Sequence, residues 1–168
     1  MIHTTEKKWV LSLPFVSCLC LIVLSEVHYG IPGLALFMPL LVLMSVVYWC
    51  VFWPETMPRV AVIGIGFAQD MVYGTPFGAS AFIYLIVWWV LVEYRKHFIH
   101  STFPALWLSF SGFTILYIGL LAGWYAFYNE HFVLSRLVVL QWVFSTLAYP
   151  LVHRLLYAFH TQILKLHA

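Results

Sequence analysis

The sequence predicts an all-α membrane protein: one integral membrane domain over residues 1–168, built as a polytopic bundle of six helices. Three observations lead there. Hydrophobic residues make up 64% of the chain and charged residues only 8%, against roughly 45–50% and 25% in soluble domains. The hydrophobic residues fall in six runs separated by short polar or Gly/Pro-rich breaks. The basic residues cluster on alternate breaks, as they do in chains that cross a bilayer repeatedly. Six spans of about 20 residues use about 120 residues and leave roughly 50 for loops and ends. That excludes an attached soluble domain, an ordinary soluble enzyme and a disordered chain. The three cysteines, Cys18, Cys20 and Cys50, all lie inside apolar runs and offer no disulfide framework. The eight basic residues form no stripe of the kind a nucleic acid needs.

The first span, about residues 9–27, follows the polar start Thr4-Thr5-Glu6-Lys7-Lys8. No small-x-small site closes the run, so it reads as an anchor and not a cleaved signal. The glycines and proline of Tyr29-Gly30-Ile31-Pro32-Gly33 mark a turn. The second span, 34–53, contains Pro39, which a membrane helix tolerates near its start or as a kink. Pro54-Glu55-Thr56-Met57-Pro58-Arg59 is a tight polar loop. The third span, 59–73, is short for a hydrocarbon core of about 30 Å. Gly74-Thr75-Pro76-Phe77-Gly78 breaks it, and the fourth span covers about 77–92. A re-entrant hairpin over residues 60–92 is the alternative to two full crossings. The basic loop from Glu93 to Thr102 leads into the fifth span, 103–127. A polar loop from Tyr128 to Arg136 leads into the sixth, 137–153. The tail, 154–168, reads either as an interfacial helix or as an extension of the sixth span.

With six crossings and a cytoplasmic N-terminus, Lys7, Lys8, Arg59, Arg95, Lys96, Arg154 and Lys165 lie inside, and only Arg136 lies outside. This asymmetry places both termini in the cytoplasm. A re-entrant hairpin would score the same. Trp9, Trp49, Trp53, Trp88, Trp89 and Trp107 fall near the cytoplasmic ends and Trp124 near the outer end, as an aromatic belt requires.

Asp70 is the most informative residue, because an ionisable group at this depth costs about 2.5–3.5 kcal/mol on insertion scales. One reading is a proton or substrate site with Gln69 beside it. The other is a carboxylate that accepts hydrogen bonds from backbone donors of the Gly74–Gly78 turn. The second is favoured, since no basic partner lies in the same or the next run. Glycines flanking a Thr-Pro segment permit backbone angles that other residues avoid. A break of this kind inside a membrane must be covered by protein or line a cavity.

In the fifth span Gly112, Gly119 and Gly123 share roughly one face, and Gly119-Leu120-Leu121-Ala122-Gly123 matches G-x-x-x-G. Packing inside the bundle is favoured over a partner interface. His97 and His100, and the heptad-spaced His153, His160 and His167, gather no carboxylate or cysteine, so no metal site and no cofactor are expected. No nucleophile elbow, phosphate-cradling glycine loop or pair of intramembrane carboxylates is present, and no catalytic residue is assigned.

Pro39, the pair Tyr48-Trp49, Pro58-Arg59, Gly66-Phe67-Ala68-Gln69-Asp70 and the Gly74…Gly78 turn with Pro76 resemble the signature of the MreD family, rod shape-determining proteins of the bacterial inner membrane. The motif-bearing part is residues 39–92; the rest is similar in size, hydropathy and charge bias. The resemblance implies a non-enzymatic membrane scaffold of the cell-elongation machinery. Its implied partners are MreC first, then MreB, the RodA glycosyltransferase and the elongation transpeptidase, besides membrane lipids. It also implies a fold similar to the six-helix substrate-binding (S-component) subunits of vitamin transporters. That fold likeness supplies the alternative function: a small-solute or lipid-binding transporter subunit, its pocket lined by Asp70, Gln69, Tyr73 and Tyr117. Family members are often more apolar where this chain has Gly64, Gly66 and Gln69.

Overall fold

A computed structural model describes residues 3–26, 40–100, 102–129 and 136–166, with side chains over 14–25, 40–99, 102–124 and 138–162. Pro39, the first part of the expected second span, the Gly30–Gly33 turn, the Trp9 side chain and the loop 130–135 lie outside these. The described residues form seven helices and no strand: α1 His3–Glu26, α2 Leu41–Phe52, α3 Arg59–Tyr73, α4 Ala79–Glu93, α5 Arg95–His100, α6 Phe103–Asn129 and α7 Arg136–Leu166.

α2 is the axis of the bundle. Every residue from Val42 to Val51 is buried, because α1, α4, α6 and α7 all pack around it. A helix covered on all sides has no polar face to keep, which accounts for a sequence whose only non-hydrocarbon groups are on Met44, Ser45, Tyr48, Trp49 and Cys50. Two of its neighbours are tied on by polar atoms. Trp49 Nε1 donates to Ser17 Oγ at 3.0 Å and the Cys18 thiol donates to Ser45 Oγ at 3.3 Å, both on α1. The Leu40 amide donates to Ser145 Oγ of α7 at 3.1 Å. Proline ends α2: Pro54 opens a single 3₁₀ turn, Pro54–Thr56, held by Thr56 Oγ1 on the Trp53 carbonyl at 2.7 Å.

α3 is amphipathic in the ordinary sense. It buries Val62, Ile65, Gly66, Gln69 and Asp70, the i, i+3, i+4, i+7, i+8 face. It stops at Gly74, whose φ of 64° is left-handed. α4 begins after Gly78, at φ 92°, and folds back along α3. At Gly66 the two backbones nearly touch: an added Cβ would stand 2.3 Å from Ala81 Cα. Only glycine permits this approach.

The loop expected from Glu93 to Thr102 instead holds α5. Nothing between those residues breaks a helix, since neither glycine nor proline occurs there. Arg95 Nε, in α5, donates to the Val51 carbonyl at 3.3 Å and so supplies a donor near the last turn of α2. Phe103–Trp124, in α6, is the one segment of the described residues long and apolar enough by itself to cross a membrane. Leu41–Phe52 and Ala79–Glu93 are apolar but shorter. α6 packs along α7 through Trp107 Nε1 on the Thr146 carbonyl at 2.7 Å, Trp142 Nε1 on Ser111 Oγ at 3.1 Å, and Phe110 stacked on Tyr149 at 4.2 Å. α7 runs without a break past residue 153 to Leu166. Residues 154–166 of the tail thus continue the last helix.

Candidate functional site

Two buried clusters carry the residues singled out by the sequence. The first lies at the end of the α3–α4 hairpin. Asp70 is 1% exposed. Its Oδ1 accepts from Thr75 Oγ1 at 2.6 Å and from the Ser80 amide at 3.1 Å, and its Oδ2 accepts from the Gly78 amide at 2.8 Å. The carboxylate thus takes two of the amide donors at the start of α4, which would otherwise be orphaned, and sits at the positive end of that helix dipole. Sequence position alone explains the reach. The left-handed turn at Gly74 and the second at Gly78 bring residues 75, 78 and 80 back over the last turn of α3. Pro76 helps close the loop, its carbonyl accepting from the Ala79 amide at 3.0 Å.

Gln69, next to Asp70, faces α6 and α4. Its Nε2 donates to the Tyr117 hydroxyl at 2.9 Å, and its Oε1 accepts from the Tyr84 hydroxyl. Ser80 Oγ lies 3.3 Å from the Tyr117 hydroxyl, and the Tyr84 and Tyr117 rings stack at 5.8 Å. Every polar side chain in this set is paired within it, as burial demands. Of the residues expected to line a solute pocket, Asp70 is taken up by the turn, Gln69 and Tyr117 bond each other, and Tyr73 is 40% exposed. Thr75, Ser80 and Tyr84 were not singled out in the sequence. Folding the two runs back about Gly74–Gly78 is the operation that sets them opposite Gln69 and Asp70.

The second cluster joins the Tyr48-Trp49 pair to α7. The Tyr48 ring meets His153 edge-on at 5.3 Å, and its hydroxyl lies 3.2 Å from His160 Nδ1. A neutral imidazole offers that nitrogen as an acceptor. His160 also stacks on Trp53 at 4.6 Å and lies 5.5 Å from Trp49. His153 is boxed by Tyr48, Phe52, Phe103 and Tyr149. The heptad spacing of His153 and His160 is therefore a docking register onto α2. No local signal shows this, since the partners are about a hundred residues apart. Burial lowers the His160 imidazole below its ordinary value of 6.5.

At the other end of α4, Trp88 Nε1 donates to the Met57 carbonyl at 2.9 Å, and the Arg59 guanidinium lies over the Trp88 ring at 5.0 Å. On α6, Gly112, Gly119 and Gly123 are exposed, and no atom of the described residues lies within 4 Å of an added Cβ at any of them. Periodicity shows that they share a face but not which way that face points. Among the described residues no group of three His, Cys, Asp or Glu side chains converges as a metal site would require.

The family model described as rod shape-determining protein MreD matches residues 5–159. No curated protein and no solved structure matches the chain.

Proposed function

The chain belongs to the MreD family of rod shape-determining membrane proteins, and on that premise we propose that it is a non-catalytic scaffold of the bacterial elongation complex that binds MreC and helps position peptidoglycan synthesis. In this reading it spans the inner membrane six times with both termini in the cytoplasm, in a bundle similar to the transporter S-components. MreB, RodA and the elongation transpeptidase belong to the same assembly. One observation carries the scaffold reading. The intramembrane groups that could serve chemistry, Asp70, Gln69, Tyr84 and Tyr117, are paired with one another or with the turn backbone. They hold helices in place and leave no base or nucleophile aimed at a substrate. What remains for function is the outer surface of the helices.

Depletion in a rod-shaped host is expected to produce round cells, and mild detergent extraction of the tagged chain to bring down MreC. Normal rods after clean deletion, or extraction without MreC, would overturn the proposal.

A further inference from the structure

Pro150 lies inside α7. A proline has no amide hydrogen, so the carbonyl four residues back, that of Thr146, loses its helical donor. A neighbouring helix supplies another: Trp107 Nε1 of α6 donates to that same carbonyl at 2.7 Å. Loss and replacement fall on one atom. Neighbouring helices re-satisfy backbone groups freed by proline in membrane helices in this way. The continuity of α7 past residue 150 therefore depends on a single side chain of a different element.

Other atoms around the proline have no such replacement. Among the described residues, Thr146 Oγ1, Tyr149 Oη and His153 Nδ1 are buried and make no hydrogen bond. They stand at i, i+3 and i+7, on one face of the helix. Unpaired polar groups raise the free energy of the packed state, and a bend at Pro150 that admits water relieves it. Beyond the proline the grip on the bundle is narrow. From 151 to 162 only Leu156 is fully buried. His153 and His160 add ring contacts to Tyr48, and His160 stacks on Trp53. Leu151, Leu155, Tyr157 and Phe159 are exposed. Segments with so few buried contacts open locally at low free energy.

We propose that Pro150 is a hinge about which residues 151–166 swing off α2 as a unit, and that the Trp107 indole is the latch that holds them closed. With the Thr146 carbonyl paired, the turn before the proline stays helical and aims the distal half along α2. Unpaired, that carbonyl tilts outward toward water and the helix kinks at the proline. Opening uncovers the Tyr48 and Trp53 rings that His160 covers in the closed form. The device lies within the chain and stands whether or not MreC binds it.

The test is a double-mutant cycle on the full chain in mild detergent, read as hydrogen-exchange protection factors along α7 at one neutral pH. Trp107→Phe keeps an aromatic ring and removes the donor. Pro150→Ala gives the Thr146 carbonyl a backbone N–H again. Trp107→Phe is expected to lower protection over residues 151–166 at least fivefold and over 138–145 less than twofold. In the Pro150→Ala background the same change is expected to cost less than twofold throughout, because the carbonyl no longer needs the indole. Losses of equal size in the two backgrounds, or on the two sides of Pro150, would make Trp107 a packing residue and overturn the proposal. Unchanged protection in Trp107→Phe overturns it as well. If Trp107→Phe fails to fold, Pro150→Ala is expected to rescue it, and a double variant that also fails to fold overturns the latch.

Discussion

Asp70 shows how a single buried carboxylate is made tolerable. Among the described residues it faces no cation; it is held by three donors of the segment that follows it. Replacement by alanine would strand the Gly78 and Ser80 amides, at about 1–3 kcal/mol for each buried donor left unpaired. Asp70→Ala is therefore expected to lower the thermal midpoint of the purified protein by several degrees, and Thr75→Val, which removes one donor without stranding an amide, by clearly less. Equal midpoints for Asp70→Ala and wild type would show that the turn does not depend on the carboxylate. The glycines make a sharper contrast. Gly66→Ala would drive a Cβ to 2.3 Å from the Ala81 backbone, and overpacking of this kind costs about 1–3 kcal/mol or more. Gly119→Ala meets open space and raises helix propensity by about 1 kcal/mol, so it should melt at or above wild type. The two thermal melts, run side by side, check both. The sequence made the positive-φ roles of Gly74 and Gly78 readable, because only a turn explains two glycines around Thr-Pro. It left Gly66 and Gly119 alike, since close approach is a property of the facing helix.

Between elements, the informative junction is α7 on α2. The resemblance drew attention to Tyr48-Trp49, yet its partners His153 and His160 could not be paired with it. A helix buried all round has no hydrophobic face from which to infer its neighbours. The same holds for α5, whose residues look like loop because they are polar and not because anything stops them from being helical. The docked form of His160 is the neutral one, its Nδ1 3.2 Å from the Tyr48 hydroxyl and its ring stacked on Trp53. Its folded value is lowered from 6.5, so the neutral form is favoured by folding. The associated stability is fully present above about pH 6.5 and is lost as pH falls through the lowered value. The hydrogen-exchange protection factor over residues 154–166, the ratio of the intrinsic to the observed exchange rate at each pH, should therefore fall between neutral pH and about pH 5. His160→Ala should remove that pH dependence, with low protection at both ends, and Tyr48→Phe should weaken docking while keeping the stack. An unchanged protection factor at about pH 5 would mean that the tail does not depend on this imidazole.

Taken whole, the molecule combines helices of unequal reach. α6 and α7, with 27 and 31 residues, extend about 40 and 46 Å, more than the hydrocarbon core of about 30 Å. α3 and α4, with 15 residues each, extend only about 22 Å. Composition made the membrane legible and the charge bias supports the proposed orientation of the loops, but neither separates a crossing hairpin from a re-entrant one, because both leave Arg59 and Arg95 on the same side. The hairpin tip offers a physical criterion. Tyr73 and Phe77 are 40% and 64% exposed, and exposed aromatic rings favour the headgroup level. A shortfall of about 8 Å is met at a fraction of a kcal/mol per Å by local thinning of the bilayer, whereas an exposed turn left in hydrocarbon would leave backbone groups without partners. Crossing is the cheaper arrangement. Phe77→Cys, in a background carrying Cys20→Ser, is therefore expected to react with a membrane-impermeant maleimide added from outside the cytoplasmic membrane, while a cysteine at the exposed position 60 on α3, made by Val60→Cys, reacts only after the membrane is opened. A Phe77→Cys thiol silent from both sides would mean that the hairpin turns back within the bilayer, and the chain would then cross four times.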